Sequence, residues 1–149
     1  GWSRTPRTMP GIDMFHGEGG MQPFLAGSQF LVCVLPLTNA TRGILNRTTL
    51  AMLPRGAHVI NMARGAHVVD HDLIAALDSG HLAGAMLDVF EKEPLPSEHP
   101  FWAHPKIIVT PHVAGDLNPR TCGQQVAENI KRFRAGQALL NVVDPSAEY

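Results

Sequence analysis

Four short apolar runs constrain the fold of this chain more than any other feature of its sequence. The runs are QFLVCVL at 29–35, AHVINMA at 57–63, GAMLDVF at 84–90 and KIIVTPHVAG at 106–115. They are continuous rather than alternating, which is typical of strands that are covered on both faces. We therefore predict one buried strand in each run.

Helical patterns lie before the first run, in the first two intervals and after the last run, whereas the third interval is a proline-rich loop, EKEPLPSEHPFWAHP. The predicted helices are a short one around 21–25, an amphipathic stretch at 47–54, a helix that begins with Asp70 as its N-cap and ends before Gly80, and a helix near 118–136. Strands that alternate with helices in this order predict an α/β fold, in which a parallel sheet has helices packed on both faces.

Length and composition limit the kinds of partner that the chain can have. It has 149 residues, which is about one domain, and its formal net charge of -1 provides no field for binding nucleic acid or an acidic membrane. Its two cysteines have no CxxC spacing, which favours a reducing compartment. With no apolar run of about 18 residues that could cross a bilayer, we expect a soluble, cytoplasmic protein.

Polar side chains follow three of the predicted strands. Arg64 comes just after the second strand, Asp88 and Glu93 flank the end of the third, and His112 ends the fourth. Ligands of parallel sheets bind at the carboxyl ends of the strands, so these groups should share one edge. An arginine can bind a carboxylate through two parallel hydrogen bonds, and a histidine oriented by a glutamate can protonate an oxygen. This set fits the reduction of a 2-keto acid by hydride from a cofactor.

Each of these residues also has a plainer interpretation. Arg64 could pair with a carboxylate at the sheet edge, and His112 could be a turn residue that bonds to the backbone. Cys33 fits core packing rather than reactivity. His67 and His71 are four residues apart and could bind a metal from one helical face, but no third ligand is evident. We therefore predict no metal site.

The ordered motifs of the chain resemble those of a known family. WSRTPR, LPLTNATRGILN, LPRGAHVINMARGAHVVDHDLIAAL, GAMLDVFEKEPLP and VTPHVAG together are similar to the D-isomer-specific 2-hydroxyacid dehydrogenases, and most closely to their glyoxylate/hydroxypyruvate reductase branch. The resemblance covers nearly the whole chain and implies a Rossmann-like, doubly wound parallel sheet. It implies that Arg64 binds the substrate carboxylate and carbonyl, that Glu93 is the partner of the histidine, and that His112 is the proton donor. Glu91 competes with Glu93, which is preferred because it directly precedes Pro94.

The same resemblance implies a nicotinamide cofactor. It places Asp88 and the backbone around Met62 at the nicotinamide amide. The full set of implied cofactor-binding residues is Ser3, Arg4, Arg7, Leu35, Pro36, Thr41, Met62, Asp88, His112 and Gly115. An acidic residue after the second strand of a dinucleotide fold binds a ribose 2'-hydroxyl, whereas an arginine can meet a 2'-phosphate. Because WSRTPR has two cations and no acid, NADP(H) is favoured, with NAD(H) as the alternative.

Some parts of the family pattern have no counterpart in this sequence. The glycine-rich GxGxxG turn is absent, and GEGG at 17–20 does not replace it because no apolar strand precedes it. We predict that 1–115 is a partial NAD(P)-binding domain, without the first strand and the substrate domain, and that 116–149 is a carboxy-terminal helix and tail that return toward the missing domain. Since the missing strand is central in the order 3-2-1-4-5-6, the remaining sheet should split in two.

These observations lead to two hypotheses. In the first, the chain is the carboxy-terminal part of a reductase of small 2-keto acids, homodimeric in its full-length form and inactive as this piece. In the second, it is a non-catalytic nucleotide-binding or interaction module derived from that family. Neither hypothesis involves nucleic acid or a membrane.

Overall fold

The computed structural model describes residues 1–115 and 118–143. The strands are β1 (Trp2–Ser3), β2 (Phe15–His16), β3 (Phe30–Cys33), β4 (Ala57–Asn61), β5 (Leu82–Leu87) and β6 (Ile107–Val109). The α-helices are α1 (Gly17–Ala26), α2 (Arg47–Ala51), α3 (Asp70–Asp78) and α4 (Pro119–Arg134), and short 3-10 helices lie at Gly65–His67 and Pro100–Trp102. The chain divides into two compact units, Gly1–His112 and a second that begins at Val113. Over the described residues, no helix is both long and apolar enough to span a membrane.

The main sheet has four parallel strands in the order β3-β4-β5-β6, which confirms the predicted α/β class. One face of the sheet is formed by rows of residues in register, such as Leu31, Val59 and Ala85, all of which are buried. On the other face, the row that contains Val32, Met86 and Ile108 is exposed, so the prediction that these strands are covered on both faces is wrong. Leu73 and Leu77 of α3 are fully buried in the same apolar core. The carboxyl ends of all four strands therefore meet at one edge, where ligands of parallel sheets bind.

The predicted split of the sheet is confirmed. β1 and β2 form a separate two-stranded parallel sheet, against which α1 packs. An apolar groove of about 190 Å³ is lined by Trp2 of β1 and by the five successive residues 31–35. The side chains of neighbouring strand residues point to opposite faces of a sheet. A groove that is lined by all five of these residues therefore follows the edge of β3 and of the segment directly after it. The groove thus lies beside edge strands of both sheets.

The ends of several elements differ from the prediction. β5 covers Leu82–Leu87 rather than 84–90, and β6 covers only Ile107–Val109. Asp70 was expected to be the N-cap of α3, but Val69 occupies that position and no side chain caps the helix. Asp70 instead lies 3.3 Å from the Nε2 atom of His99. Gly80 ends the helix as predicted, with the positive φ of 71° that glycine adopts without strain.

The second unit contains α4, close to the helix predicted at 118–136. Asn118 caps it by accepting hydrogen bonds from the backbone N–H groups of Arg120 and Thr121. Residues 116–117 and 144–149 of the predicted tail lie outside the described residues. The division at 115 and the return of this tail toward another domain stay predictions.

Candidate active site

The loop after β4 holds the backbone of Arg64 at the carboxyl edge of the sheet. Asn61, the last residue of the strand, is fully buried, and its amide Nδ2 donates to the Arg64 carbonyl at 2.9 Å. Its Oδ1 atom accepts from the N–H of Ala63 at 3.2 Å. The Arg64 side chain is exposed, with its guanidinium bonded to the Ala63 carbonyl at 2.6 Å. A buried amide therefore fixes the loop that delivers an exposed cation.

Gly65 lets this loop touch the loop that follows β5. A Cβ atom at position 65 would lie 1.9 Å from the backbone carbon of Phe90 and 2.2 Å from the nitrogen of Glu91. Only a residue without a side chain permits this approach. The glycine that follows the arginine in the sequence is thus required by a contact that brings the Arg64 loop next to the loop of Glu93.

Glu93 and His112 form a direct pair. The Nδ1 atom of His112 lies 2.8 Å from Oε2 of Glu93, while Oε1 of Glu93 accepts from the N–H of Phe90 at 2.9 Å. These hydrogen bonds, that of His112 first, lower the pKa of Glu93 from its ordinary 4.5, and the nearby Arg64 charge acts in the same direction. Glu93 is therefore a carboxylate at neutral pH, and it leaves Nε2 of His112 as the ring atom that can face a substrate.

The backbone of His112 has an unusual conformation. Its φ of 56° is in the left-handed region, which residues other than glycine seldom adopt. It follows β6 after a short turn in which its N–H bonds to the Thr110 carbonyl at 3.1 Å. Such conformations cost free energy and are concentrated at functional sites. Here the turn directs the imidazole toward Glu93.

An apolar cavity of about 450 Å³ adjoins the pair of Glu93 and His112. Its other lining residues are Phe90, Pro94, Leu95, Trp102, Val109 and Pro111. A cavity with mostly apolar walls and a few polar groups is typical of a small-molecule site. Phe90 and Trp102 line the cavity, whereas Phe101 is buried in the core.

Asp88 lies beneath this edge rather than on its surface. It is 2% exposed, and its Oδ1 atom accepts a short hydrogen bond from the hydroxyl of Thr110. Its own N–H donates to the Asn61 carbonyl at 3.0 Å. Asp88 therefore connects the ends of three neighbouring strands, β4, β5 and β6.

The loop after β3 is folded by two threonines. The hydroxyl of Thr41 donates to the Pro36 carbonyl at 2.7 Å and accepts from the N–H of Thr38 at 2.8 Å. Leu35 is partly buried and Pro36 is exposed. The predicted contacts Leu35, Pro36 and Thr41 thus lie in one ordered loop at the same edge as Arg64.

The other predicted cofactor residues are spread more widely. Ser3 ends β1, and Arg4 and Arg7 follow it with exposed side chains. Met62 follows β4 directly and is 40% exposed. Gly115 belongs to the second unit.

Two alternatives from the sequence can be compared with the geometry. Glu91, the competitor of Glu93, bonds to Arg42 at 3.3 Å, whereas Glu93 is the carboxylate that meets His112. His67 and His71 do not share a helix, because His67 ends the 3-10 helix and is buried while His71 lies in α3. Within residues 1–115 and 118–143, no three His, Cys, Asp or Glu side chains are grouped to hold a metal ion.

Sequence reasoning missed several residues that build this site. Asn61 and Thr110 tie the strand ends together, and His67 bonds to the Arg64 carbonyl. The buried asparagine had a signal, since a polar residue ends the apolar strand AHVIN. The contact of Gly65 with Phe90 had none, because it joins positions far apart in the chain.

A parallel sheet with these groups at its carboxyl edge defines an α/β domain of the Rossmann-like type. A family model described as D-isomer specific 2-hydroxyacid dehydrogenase, NAD binding domain, matches residues 2–114. The chain belongs to this family.

Similar proteins include curated reductases and solved structures. Glyoxylate/hydroxypyruvate reductase A of Photorhabdus laumondii is 48% identical over 99% of this chain and 47% of its own length. A D-isomer specific 2-hydroxyacid dehydrogenase from Xanthobacter autotrophicus Py2, solved with NADPH and MES, is 53% identical with a TM-score of 0.95, over 99% of this chain and 61% of that one. An NADPH-dependent glyoxylate/hydroxypyruvate reductase from Sinorhizobium meliloti, solved with NADP and sulfate, is 43% identical with a TM-score of 0.93, over 99% and 48%. The chain spans about half the length of the curated relatives that it matches.

Proposed function

We propose that this chain is part of an NADPH-dependent reductase that converts small 2-keto acids, such as glyoxylate and hydroxypyruvate, to 2-hydroxy acids. The observation that carries the proposal is the 2.8 Å pair of Glu93 and His112, near the Arg64 charge, at the ends of neighbouring parallel strands. The names of the Photorhabdus and Sinorhizobium relatives support the same substrates.

Each of the three side chains has a separate task in this proposal. The exposed guanidinium of Arg64 binds the substrate carboxylate and carbonyl through charge-assisted hydrogen bonds. His112 donates a proton from Nε2 to the keto oxygen. Glu93 accepts from Nδ1 of His112, which orients the ring and stabilises its protonated form. The cavity beside the pair surrounds the keto acid with mostly apolar walls.

The residues of the site fit a nicotinamide dinucleotide with a 2'-phosphate. Between β1 and β2, Arg4 and Arg7 are exposed cations, and the segment from Trp2 to Pro10 contains no acidic residue. The ordered loop of Leu35, Pro36 and Thr41 would lie along the ribose and diphosphate, with Asp88 and the backbone around Met62 at the nicotinamide amide. When bound, the cofactor supplies the hydride for the keto carbon. The Xanthobacter and Sinorhizobium structures, solved with NADPH and NADP, support this choice.

We propose further that residues 1–149 do not turn over substrate alone. The sequence has no glycine-rich turn to bind the diphosphate. The strands also form two separate sheets, with a groove between β1 and β3. A homodimer is proposed for the active protein, and light scattering would test it.

A substitution at Arg64 tests the proposed function. In the protein expressed from its natural gene, Arg64→Ala should lower kcat/KM for glyoxylate by at least about a hundredfold, because charge-assisted hydrogen bonds to the substrate are lost. Arg55→Ala is the matched control, since Arg55 is an exposed arginine at the opposite end of β4. The readout is NADPH oxidation. Equal rates for both variants would refute the role of Arg64, and NADPH binding without any turnover would favour the non-catalytic module.

A further inference from the structure

His67 is fully buried between two loops of the proposed site. Its Nδ1 atom lies 2.9 Å from the carbonyl oxygen of Arg64, in the loop after β4. Its Nε2 atom lies 3.3 Å from the carbonyl oxygen of Pro36, in the loop after β3. One imidazole ring therefore spans the loop that carries the substrate-binding arginine and a loop that is assigned to the cofactor.

The two contacts cannot both be hydrogen bonds of a neutral ring. A neutral imidazole has one N–H group, and both neighbours are carbonyl acceptors. The contact of Nδ1 is the shorter one, and the Pro36 carbonyl already accepts from the hydroxyl of Thr41 at 2.7 Å. The neutral ring therefore carries its proton on Nδ1 and donates it to the Arg64 carbonyl.

We propose that His67 is a positioning residue for the substrate-binding arginine, an inference that rests on the proposed function. The Arg64 carbonyl accepts from the imidazole, from Nδ2 of Asn61 at 2.9 Å and from the backbone N–H of His67 at 3.2 Å. Two buried side chains thus hold this peptide group from the core side. With the backbone fixed, only the side-chain torsions of Arg64 vary, so the guanidinium reaches a restricted region beside Glu93.

Two substitutions of His67 distinguish a positioning role from a role in packing alone. Nδ2 of asparagine is attached to Cγ, as Nδ1 of histidine is, so His67→Asn keeps a donor for the Arg64 carbonyl. The amide nitrogen of glutamine lies one bond further out, near the position of Nε2, so His67→Gln loses that donor. Glutamine, however, fills the buried volume better than asparagine. Packing therefore favours the glutamine variant, and positioning favours the asparagine variant.

Steady-state kinetics of the protein expressed from its natural gene separate these cases. His67→Gln should raise KM for glyoxylate about tenfold, as the loss of one buried hydrogen bond predicts, and leave KM for NADPH nearly unchanged. His67→Asn should stay within about twofold of the unsubstituted protein, which is below the usual effect of such a loss. A glutamine variant that retains activity better than the asparagine variant, or equal losses in both, would overturn the inference.

The protonation of the ring gives a readout that does not depend on activity. Nitrogen-15 NMR of His67 should show the proton on Nδ1 in the neutral ring, and a proton on Nε2 would refute the assignment. If the unsubstituted protein does not reduce glyoxylate, the proposed function fails, while the NMR result still decides which atom holds the Arg64 carbonyl.

Discussion

Gly65→Ala tests whether the close contact between the loops after β4 and β5 builds the site. The added Cβ would lie 1.9 Å from the backbone carbon of Phe90, and ordinary contact begins at 3.4 Å, so the two loops must separate by about 1.5 Å. The atoms in the way belong to the backbone, which cannot rotate aside as a side chain can. Overpacking of this kind costs about 1–3 kcal/mol, and we expect a loss near the upper end of that range.

Urea unfolding, followed by circular dichroism, measures this loss. The matched control is Gly19→Ala, because nothing lies within 4 Å of the Cβ position of Gly19, which is inside α1. Alanine there should leave stability unchanged or raise it by about 0.5–1 kcal/mol. If Gly65→Ala were as stable as Gly19→Ala, the contact with Phe90 would not be a constraint on the fold, and the argument for how Arg64 is placed would fail.

Three further predictions concern the proton donor, the cofactor and the pH dependence of stability. His112→Ala should lower kcat for glyoxylate by about 10²–10⁴-fold while NADPH still binds, as measured by fluorescence titration, and a full rate would exclude His112 as the acid. Arg4→Ala should raise KM for NADPH about tenfold and leave KM for NADH unchanged, whereas equal changes would remove the contact with a 2'-phosphate. The pKa of Asp72 is lowered from 3.8, chiefly because its carboxylate accepts a hydrogen bond from the backbone N–H of Arg47. The stabilising effect of the ionised Asp72 is therefore complete above a pH of 3.8 and is lost as the pH falls through the lowered pKa. The difference in unfolding free energy between the unsubstituted protein and Asp72→Asn should therefore be largest at neutral pH and become small in acid. A difference that stays constant with pH would contradict this reasoning.

The order of elements could be predicted from the sequence because the parallel strands are joined by long crossovers, which keep the apolar runs well apart along the chain. Continuous apolar runs identified β3 to β6, and glycine marked the end of α3. Strand ends were less accurate, since they depend on partners elsewhere. β5 ends at Leu87 because Asp88 turns inward to bond with Thr110, which is 22 residues away. β2 has only two residues and left no apolar run to detect.

The candidate site could be predicted in part because its position relative to the strands is visible in the sequence. The side chains that do chemistry follow the apolar runs directly, so Arg64, Glu93 and His112 were visible in the sequence. Their supports are residues whose roles come from contacts across the fold. His67 was considered only as a metal ligand, although its ring bonds to two backbone carbonyls instead. A single sequence records which groups are present, but not which carbonyl each buried donor meets.

β3 is at the edge of the four-stranded sheet, and this position has a consequence for how the chain behaves at high concentration. In a parallel pair, each residue directs both its backbone groups to one side, and the carbonyls of Gln29 and Cys33 accept hydrogen bonds from the N–H groups of His58 and Met62, on the β4 side. Val32 therefore directs its N–H and C=O to the outer edge, where another extended segment could add as a strand. Proline is tolerated at such a position because the N–H group that it lacks would point away from β4, so no hydrogen bond to β4 is lost. Val32→Pro would thus give a chain that keeps its four-stranded sheet but resists edge-to-edge aggregation.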